Sequence, residues 1–289
     1  MKKLVFTLAT CCIMCACEQK TETNPFFTEF RTEYGAPDFD KIKIEHYEPA
    51  FLKGIEEQNA EIKAIVESRE TPGFENTIVA LDNSGRTLAR VKGVFYALTE
   101  ADTNDEMSAL SEKIAPVLSE HNDNIYLNQD LYKRVAAVWQ QEQEGKITLT
   151  TEQHRLLDRY YKAFIRSGAG LDAGKQNRLR EINKELSTLA ITFSNHVLNE
   201  NNAYRLVIDN EAELAGLPEW VKTGAAEEAK AVGKEGKWLF TLQNSSRLPL
   251  LQYADNRELR KDIYEAYINR GNNGDANDNK AVSYTHLRA

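Results

Sequence analysis

The chain has 289 residues, 42% of them hydrophobic and 9% aromatic, with 44 acidic against 36 basic side chains and a formal net charge of −8. A body of that size can bury a substantial core, and with no lysine- or arginine-rich helix face interleaved with aromatics the sequence argues against a nucleic-acid partner. Only 7 prolines and 15 glycines punctuate it, so long helices joined by short loops are the default expectation.

Met1 to Cys17 begins with two lysines and runs on through a mostly apolar stretch, Leu4 to Ala16. That stretch is too short to cross a bilayer as a permanent helix and reads as an export signal. Its end, Met14-Cys15-Ala16-Cys17, resembles the lipobox of bacterial lipoproteins, in which small residues precede a cysteine that becomes the new amino terminus and carries lipid. Cys17 is therefore the expected lipid anchor; the other reading is an ordinary cleaved signal rich in cysteine. The anchor would place the protein at a bacterial cell envelope, facing the periplasm and touching membrane through its lipid alone. All 4 cysteines, Cys11, Cys12, Cys15 and Cys17, lie in this segment. The body then has no thiol for a disulfide or a thiolate zinc site. Glu18 to Thr23 is polar and aperiodic, as a tether is.

Asn24-Pro25-Phe26-Phe27 opens the ordered part. Pro49 suits the first turn of a helix that runs to about Arg69, with Phe51, Leu52, Ile55, Ile62 and Ile65 as its buried stripe. Thr71-Pro72-Gly73 breaks the pattern, and a second helix is expected from Phe74 to about Leu98 through Ile78, Leu81, Leu88, Val91 and Phe95. Ser84-Gly85 weakens its middle for no reason visible in the sequence. Asp102 to Glu106 offers side-chain oxygens for a capped start, and Met107, Leu110, Ile114 and Leu118 face inward in the helix that follows, with a kink expected at Pro116. Asn122-Asp123-Asn124 reads as a turn. Leu131, Val135 and Val138 begin another helix ending by Gly145, and Thr150-Thr151-Glu152 starts the next, with Leu156, Leu157, Tyr160, Phe164 and Ile165 as its stripe. Ser167-Gly168-Ala169-Gly170 stops it. No lysine-serine or lysine-threonine pair follows those glycines, so they do not form a phosphate loop.

Lys175 to Asn202 contains no glycine or proline and places Leu179, Ile182, Leu186, Leu189, Phe193 and Val197 at steps of three and four. This is one amphipathic helix of about 40 Å, expected to act as a spine along which the other segments pack. Its charge spacings include as many unfavourable as favourable pairs, so packing must hold it. The period then changes. Tyr204 to Ile208 and Lys237 to Leu242 are short, apolar and rich in strand formers, and flank a helix from about Pro218 to Val232. Asn256 to Arg270 returns to helix, with Leu259, Ile263, Tyr264 and Tyr267 inward. Asp275 to Lys280 reads as a polar turn or linker. Val282 to Ala289 resembles the conceptual translation of a transposon-end sequencing adapter, which makes Ala281 the last natural residue expected here and implies a longer protein; the other reading is a genuine short tail. The organisation is then signal at 1–17, tether at 18–23, helical body at 24–281 and adapter-like tail at 282–289.

Chemistry is sparse. Zinc hydrolases of the commonest helical kind carry H-E-x-x-H, two histidines one turn apart with a carboxylate to take a proton from bound water. The 5 histidines, His46, His121, His154, His196 and His286, form no such pair. His196 and Glu200 have a one-turn offset, but a lone pair of this kind is read as a surface contact, and His46 as a hydrogen-bonding residue at a helix start. No G-x-S-x-G elbow is present. No catalytic and no metal-binding position is assigned.

Several of these blocks, in order, resemble a known family. Asn24-Pro25, the run Phe39 to Phe51, Phe74 to Ile78 and Ala115 to Ser119 are similar to the amino-terminal half of the bacterial peptidyl-dipeptidases and their relatives oligopeptidase A and thimet oligopeptidase. So are Tyr161 to Ala169, Glu181 to Ser187, Leu214 to Pro218 and Asn256 to Arg260. The resemblance implies a mainly α fold: the multi-helix amino-terminal half of a two-lobed zinc peptidase, with a small β element near residues 204–242. It further implies a deep channel that admits short peptides, and zinc held by H-E-x-x-H and a distant glutamate in the carboxy-terminal half. None of those ligands exists in this chain. The expected function is therefore that of an inactive amino-terminal portion, binding no zinc itself, of an exported enzyme that releases carboxy-terminal dipeptides from short peptides. The alternative is a complete, non-catalytic helical lipoprotein that binds peptides or a protein partner.

Overall fold

The computed structural model describes residues 24–280; the signal segment with Cys17, the tether and the adapter-like tail lie outside them. Asn24 caps a short turn, Pro25–Phe27, by accepting from the Phe26 amide, and its side-chain nitrogen donates to the His46 carbonyl at 2.7 Å. Phe26 is thereby set into the core against Tyr47.

Helix α1 spans Ile44–Glu67. His46 Nδ1 accepts from the Lys43 amide at 3.1 Å, satisfying one of the free donors at the helix start. Phe51, Ile62 and Ile65 are buried as the periodicity requires, whereas Leu52 is half exposed, because it lines an open groove between α1 and α4. The second expected helix is three pieces: a π-helical turn Phe74–Val79, a short α2 Ala80–Asp82 and α3 Arg86–Ala101.

Helix α4, Asp105–Tyr126, is capped by Asn104, which accepts from Met107 N at 2.9 Å, and runs unbroken through Pro116 and through Asn122-Asp123-Asn124. The expected turn there is wrong because Asp123 and Asn124 have partners on a later helix: Asn183 donates to Asp123 at 2.8 Å and Arg180 to Asn124 at 2.9 Å. The chain turns instead at Leu127 and Asn128, where Asn128 caps α5, Gln129–Gln143. Thr150 and Gln153 form a reciprocal capping box at the start of α6, Thr151–Arg166. Leu157 and Phe164 are buried while Ile165 faces solvent.

Helices α1 to α6 enclose two apolar clusters. The first gathers Phe26, Tyr47, Phe51, Val91, Phe95 and Ile114; the second gathers Ile62, Ile78, Leu131, Val135, Leu157 and Phe164. Helix α1 serves both.

The long helix α7 runs Ala173–Ala203, capped by Asp172. It exists as expected, but not as a buried spine. None of its apolar residues is fully buried: Leu179, Ile182, Leu186, Leu189 and Val197 are partly covered and Phe193 is 41% exposed. The physical reason is that its bonded seam with α4 is polar. Arg180, Asn183 and Asn195 bond Asn124, Asp123 and Glu112 across it, which leaves the apolar stripe beside the contact instead of in it.

Beyond α7 lies a smaller unit. Strand β1, Leu206–Ile208, pairs antiparallel with β2, Trp238–Phe240, placing Leu206 opposite Phe240 and Ile208 opposite Trp238. Helix α8, Glu219–Ala231, connects them; α9, Asn244–Tyr253, and α10, Arg257–Ile268, follow. Helix α9 has no counterpart in the sequence-based expectation. Ile208, Leu214, Phe240, Leu250, Leu259 and Ile263 close a third cluster, while Tyr264 is 53% exposed. The whole is mainly α with one small sheet among the described residues, and α7 is the strut that joins the helical body to the small unit.

Candidate functional site

The carboxy-terminal half of α7 and the small unit form a cleft of about 520 Å³, with Phe193, Val197, Leu198 and Leu242 as its apolar wall and Asn201, Gln243, Asn244, Tyr267 and Arg270 as its polar side. Tyr267 is stacked between two guanidinium groups: the Arg247 carbon lies 3.5 Å and the Arg270 carbon 3.9 Å from its ring centre. Two cations that close to one ring must lie on opposite faces, a cation–π sandwich. Arg247 is 7% exposed and donates to the Leu242 carbonyl and to Asn244. Arg270 donates through Nε to the Tyr267 carbonyl at 3.0 Å and through Nη1 to Asn201 at 3.1 Å. Neither arginine is paired with a carboxylate among the described residues.

Of the pair read as a surface contact, His196 and Glu200, the histidine is half-buried and the glutamate buried. Glu200 is 8% exposed, and its Oε2 accepts from Gly271 N at 2.7 Å and Asn273 Nδ2 at 2.8 Å, leaving Oε1 buried without a partner. His196 Nδ1 lies 2.9 Å from Asn279 Oδ1, and Asn279, 5% exposed, also donates to the Phe193 carbonyl. Residues 275–280, expected as a polar turn or linker, thus belong to a segment, 271–280, that is clasped along α7.

The other described histidines also have hydrogen-bond partners within the fold. His121 is 5% exposed at the seam between the two clusters of the helical body. Gln58 donates to Ser84 Oγ at 3.1 Å and accepts from His121 Nε2 at 2.7 Å, so the ring carries its proton on Nε2 and Nδ1 has no partner. The seam encloses a polar cavity of about 190 Å³ that Asp82, Lys92 and Tyr160 also line. Burial, and secondarily Lys92, hold the His121 pKa below the ordinary histidine value. Burial and a hydrogen bond to Asp82 push the Tyr160 phenol far up. His154 pairs with Glu142 at 2.7 Å on the surface of the body; His286 lies outside the described residues.

Among the described residues no group of three or more histidines, cysteines and carboxylates comes together that could hold a metal ion, and no helix is long and apolar enough to cross a membrane. What the residues can do is bind: a cleft with an apolar wall and an unneutralised cationic end. Arg247, Tyr267 and Arg270 escaped the sequence reading as a site because they carry no spacing motif: the first lies in α9, the second in the last turn of α10 and the third just past its end.

No family model matches the chain. It is 38% identical over 262 residues to a dipeptidyl carboxypeptidase of Escherichia coli, covering 91% of this chain and 38% of that protein. A dipeptidyl carboxypeptidase of Salmonella typhimurium is 39% identical over 260 residues, again with 38% of its length covered. Oligopeptidase A of the same organism is 32% identical over 258 residues, covering 89% of this chain and 37% of that protein. The chain therefore spans somewhat more than a third of the curated relatives it matches.

Proposed function

Starting from a chain homologous over nine-tenths of its length to part of the dipeptidyl carboxypeptidases and oligopeptidases A, we propose that it is the amino-terminal portion of an exported, lipid-anchored zinc peptidase that releases dipeptides from the carboxy ends of short peptides. The observation that carries this reading is the mismatch of coverage: 91% of the chain aligns with only 38% of a peptidase. In this reading Cys17 carries the lipid, the protein sits at the cell envelope, and residues 24–280 form one wall of a peptide channel. The incompletely covered apolar stripe of α7, with Phe193 at 41% exposure, supports a wall whose facing half lies elsewhere in the protein.

Zinc is implied by the family resemblance, and the residues present do not fit it, since no triad of donors is gathered among them. The role left to the described residues is to hold and orient peptide. Sequencing the genomic locus past codon 281 tests the proposal. Continuation into H-E-x-x-H is the expected result; a stop codon directly after Ala281 would leave the non-catalytic binding lipoprotein as the better account. Replacing Cys17 with serine in the native host is expected to move the protein from the membrane to the soluble envelope fraction, and unchanged membrane recovery would overturn the anchor.

A further inference from the structure

The clasp on α7 contains Asn273-Gly274, the only asparagine–glycine pair in the sequence. In that pair the glycine nitrogen can attack the asparagine side-chain amide with little hindrance, because glycine has no Cβ to crowd the approach and leaves the backbone free to bend. Asn273 is exposed, and a Cβ added to Gly274 would meet nothing within 4 Å, so ring closure and water both have room. The Gly274 amide donates to Asp278 Oδ2 at 2.9 Å, which puts a base on the proton that must leave. The amides of Lys280 and Gly274 hold the Asp278 carboxyl below its ordinary value, so it is ionised at neutral pH. On the other side, Asn273 Nδ2 donates to Glu200 Oε2 at 2.8 Å. Glu200 is buried, its second donor is the neutral Gly271 amide, and its Oε1 has no partner.

We propose that Asn273 is a site of spontaneous deamidation, and that its conversion to a carboxylate releases residues 271–280 from α7. The Gly274 nitrogen gives its proton to Asp278 and bonds to Asn273 Cγ. The Cγ–Nδ2 bond breaks, and Nδ2 takes that proton and leaves as ammonia, closing a succinimide. Water then opens the ring: attack at Cγ gives aspartate, and attack at the backbone carbonyl gives isoaspartate. One water is consumed and one ammonia released, with no oxidant or reductant. The product sets a negatively charged oxygen against Glu200 Oε2 where an N–H donor stood. Two carboxylates facing each other at a buried site repel, and Glu200 loses one of its two donors. Isoaspartate also lengthens the backbone between Gly271 and Asn279, both of which are fastened to α7. Asn279 donates to the Phe193 carbonyl, and Phe193 and Arg270 line the cleft, so a loosened clasp loosens the wall of that cleft. None of this depends on the peptidase reading.

The test is to age the full chain at mildly alkaline pH and follow amide-to-acid conversion by peptide mass spectrometry. Asn83 and Asn244, each followed by serine, serve as internal references. Asn273 is expected to convert well ahead of both; no conversion there, or conversion no faster than at the references, overturns the site. Hydrogen exchange on the aged chain then reads the clasp. Amides of 271–280 are expected to exchange at least about tenfold faster in the converted fraction, with α5 and α6 unchanged. Asn273→Asp makes the aspartate product directly and should show the same acceleration. Adding Glu200→Gln supplies a donor to the new carboxylate and should return the exchange toward that of the unaltered chain. Unchanged exchange in both the aged chain and Asn273→Asp overturns the release. Acceleration that Glu200→Gln does not reduce overturns carboxylate repulsion as its cause. Should Asn273→Asp fail to fold, the converted and unconverted fractions of the aged chain still decide.

Discussion

Gly85 has φ +72°, donates its amide to Glu61 Oε2 at 2.7 Å, and sits where an added Cβ would come within 2.5 Å of the Gln58 side chain. That glycine, which has no purpose visible in the sequence, ends α2 and lets α3 begin against α1; on the facing α1, a Cβ on Gly54 would meet the Leu88 backbone at 2.8 Å. Gly85→Ala is expected to cost about 1–3 kcal/mol through the left-handed backbone and the clash, read as a lower urea midpoint with unchanged m-value. His121 gives a pH-dependent counterpart. Its folded pKa is depressed by burial and Lys92, so the unfolded chain binds the proton more readily. Stability is then full above the ordinary value of 6.5 and declines as pH falls through the lower folded value. At lower pH still, Asp123 acts in the opposite sense: burial raises its pKa, so protonation there favours the folded state. Unfolding curves between pH 7 and pH 5 should slope downward for the unaltered chain and flatten in His121→Gln. An identical slope in both would remove His121 as the cause.

Among the elements, periodicity was enough to place α1, α4, α5, α6, α7 and α10 and both strands, because each has a stripe at one dominant period; side-chain caps such as Asn104 and Thr150 mark the start of several helices. It failed where distant partners decide. Asn122-Asp123-Asn124 has the composition of a turn, yet stays helical because Asn183 and Arg180 reach it from about sixty residues on. Helix α9, Asn244–Tyr253, was not anticipated; it forms with Leu250 buried in the third cluster. Leu52, Ile165 and Tyr264 fit their helical stripes but are exposed, since periodicity reports a face and not whether anything covers it. Asn279→Ala should speed hydrogen exchange at the amides of 271–280 while leaving those of α5 and α6 unchanged; uniform loss of protection would mean that the clasp holds the entire fold. Glu200→Gln keeps the oxygen that accepts from Gly271 and Asn273 and should be nearly neutral, whereas Glu200→Ala leaves both donors unpaired and should cost about 1–3 kcal/mol.

At the scale of the molecule, a helical body and a small α/β unit are joined by one long strut whose apolar stripe is only partly covered. The fold class could be read from the sequence because it depends on local periods; the cleft could not, because Arg247, Tyr267 and Arg270 converge only after α9 and α10 fold against β2. On the proposed reading these residues supply scaffold and peptide contact, and the reactive centre lies outside them. The direct measurement is zinc content and peptide cleavage of purified residues 18–281, with mass spectrometry of the products. Zinc well below one equivalent and no released dipeptide are expected; one bound zinc together with carboxy-terminal dipeptides in the product mixture would place the reactive centre within these residues.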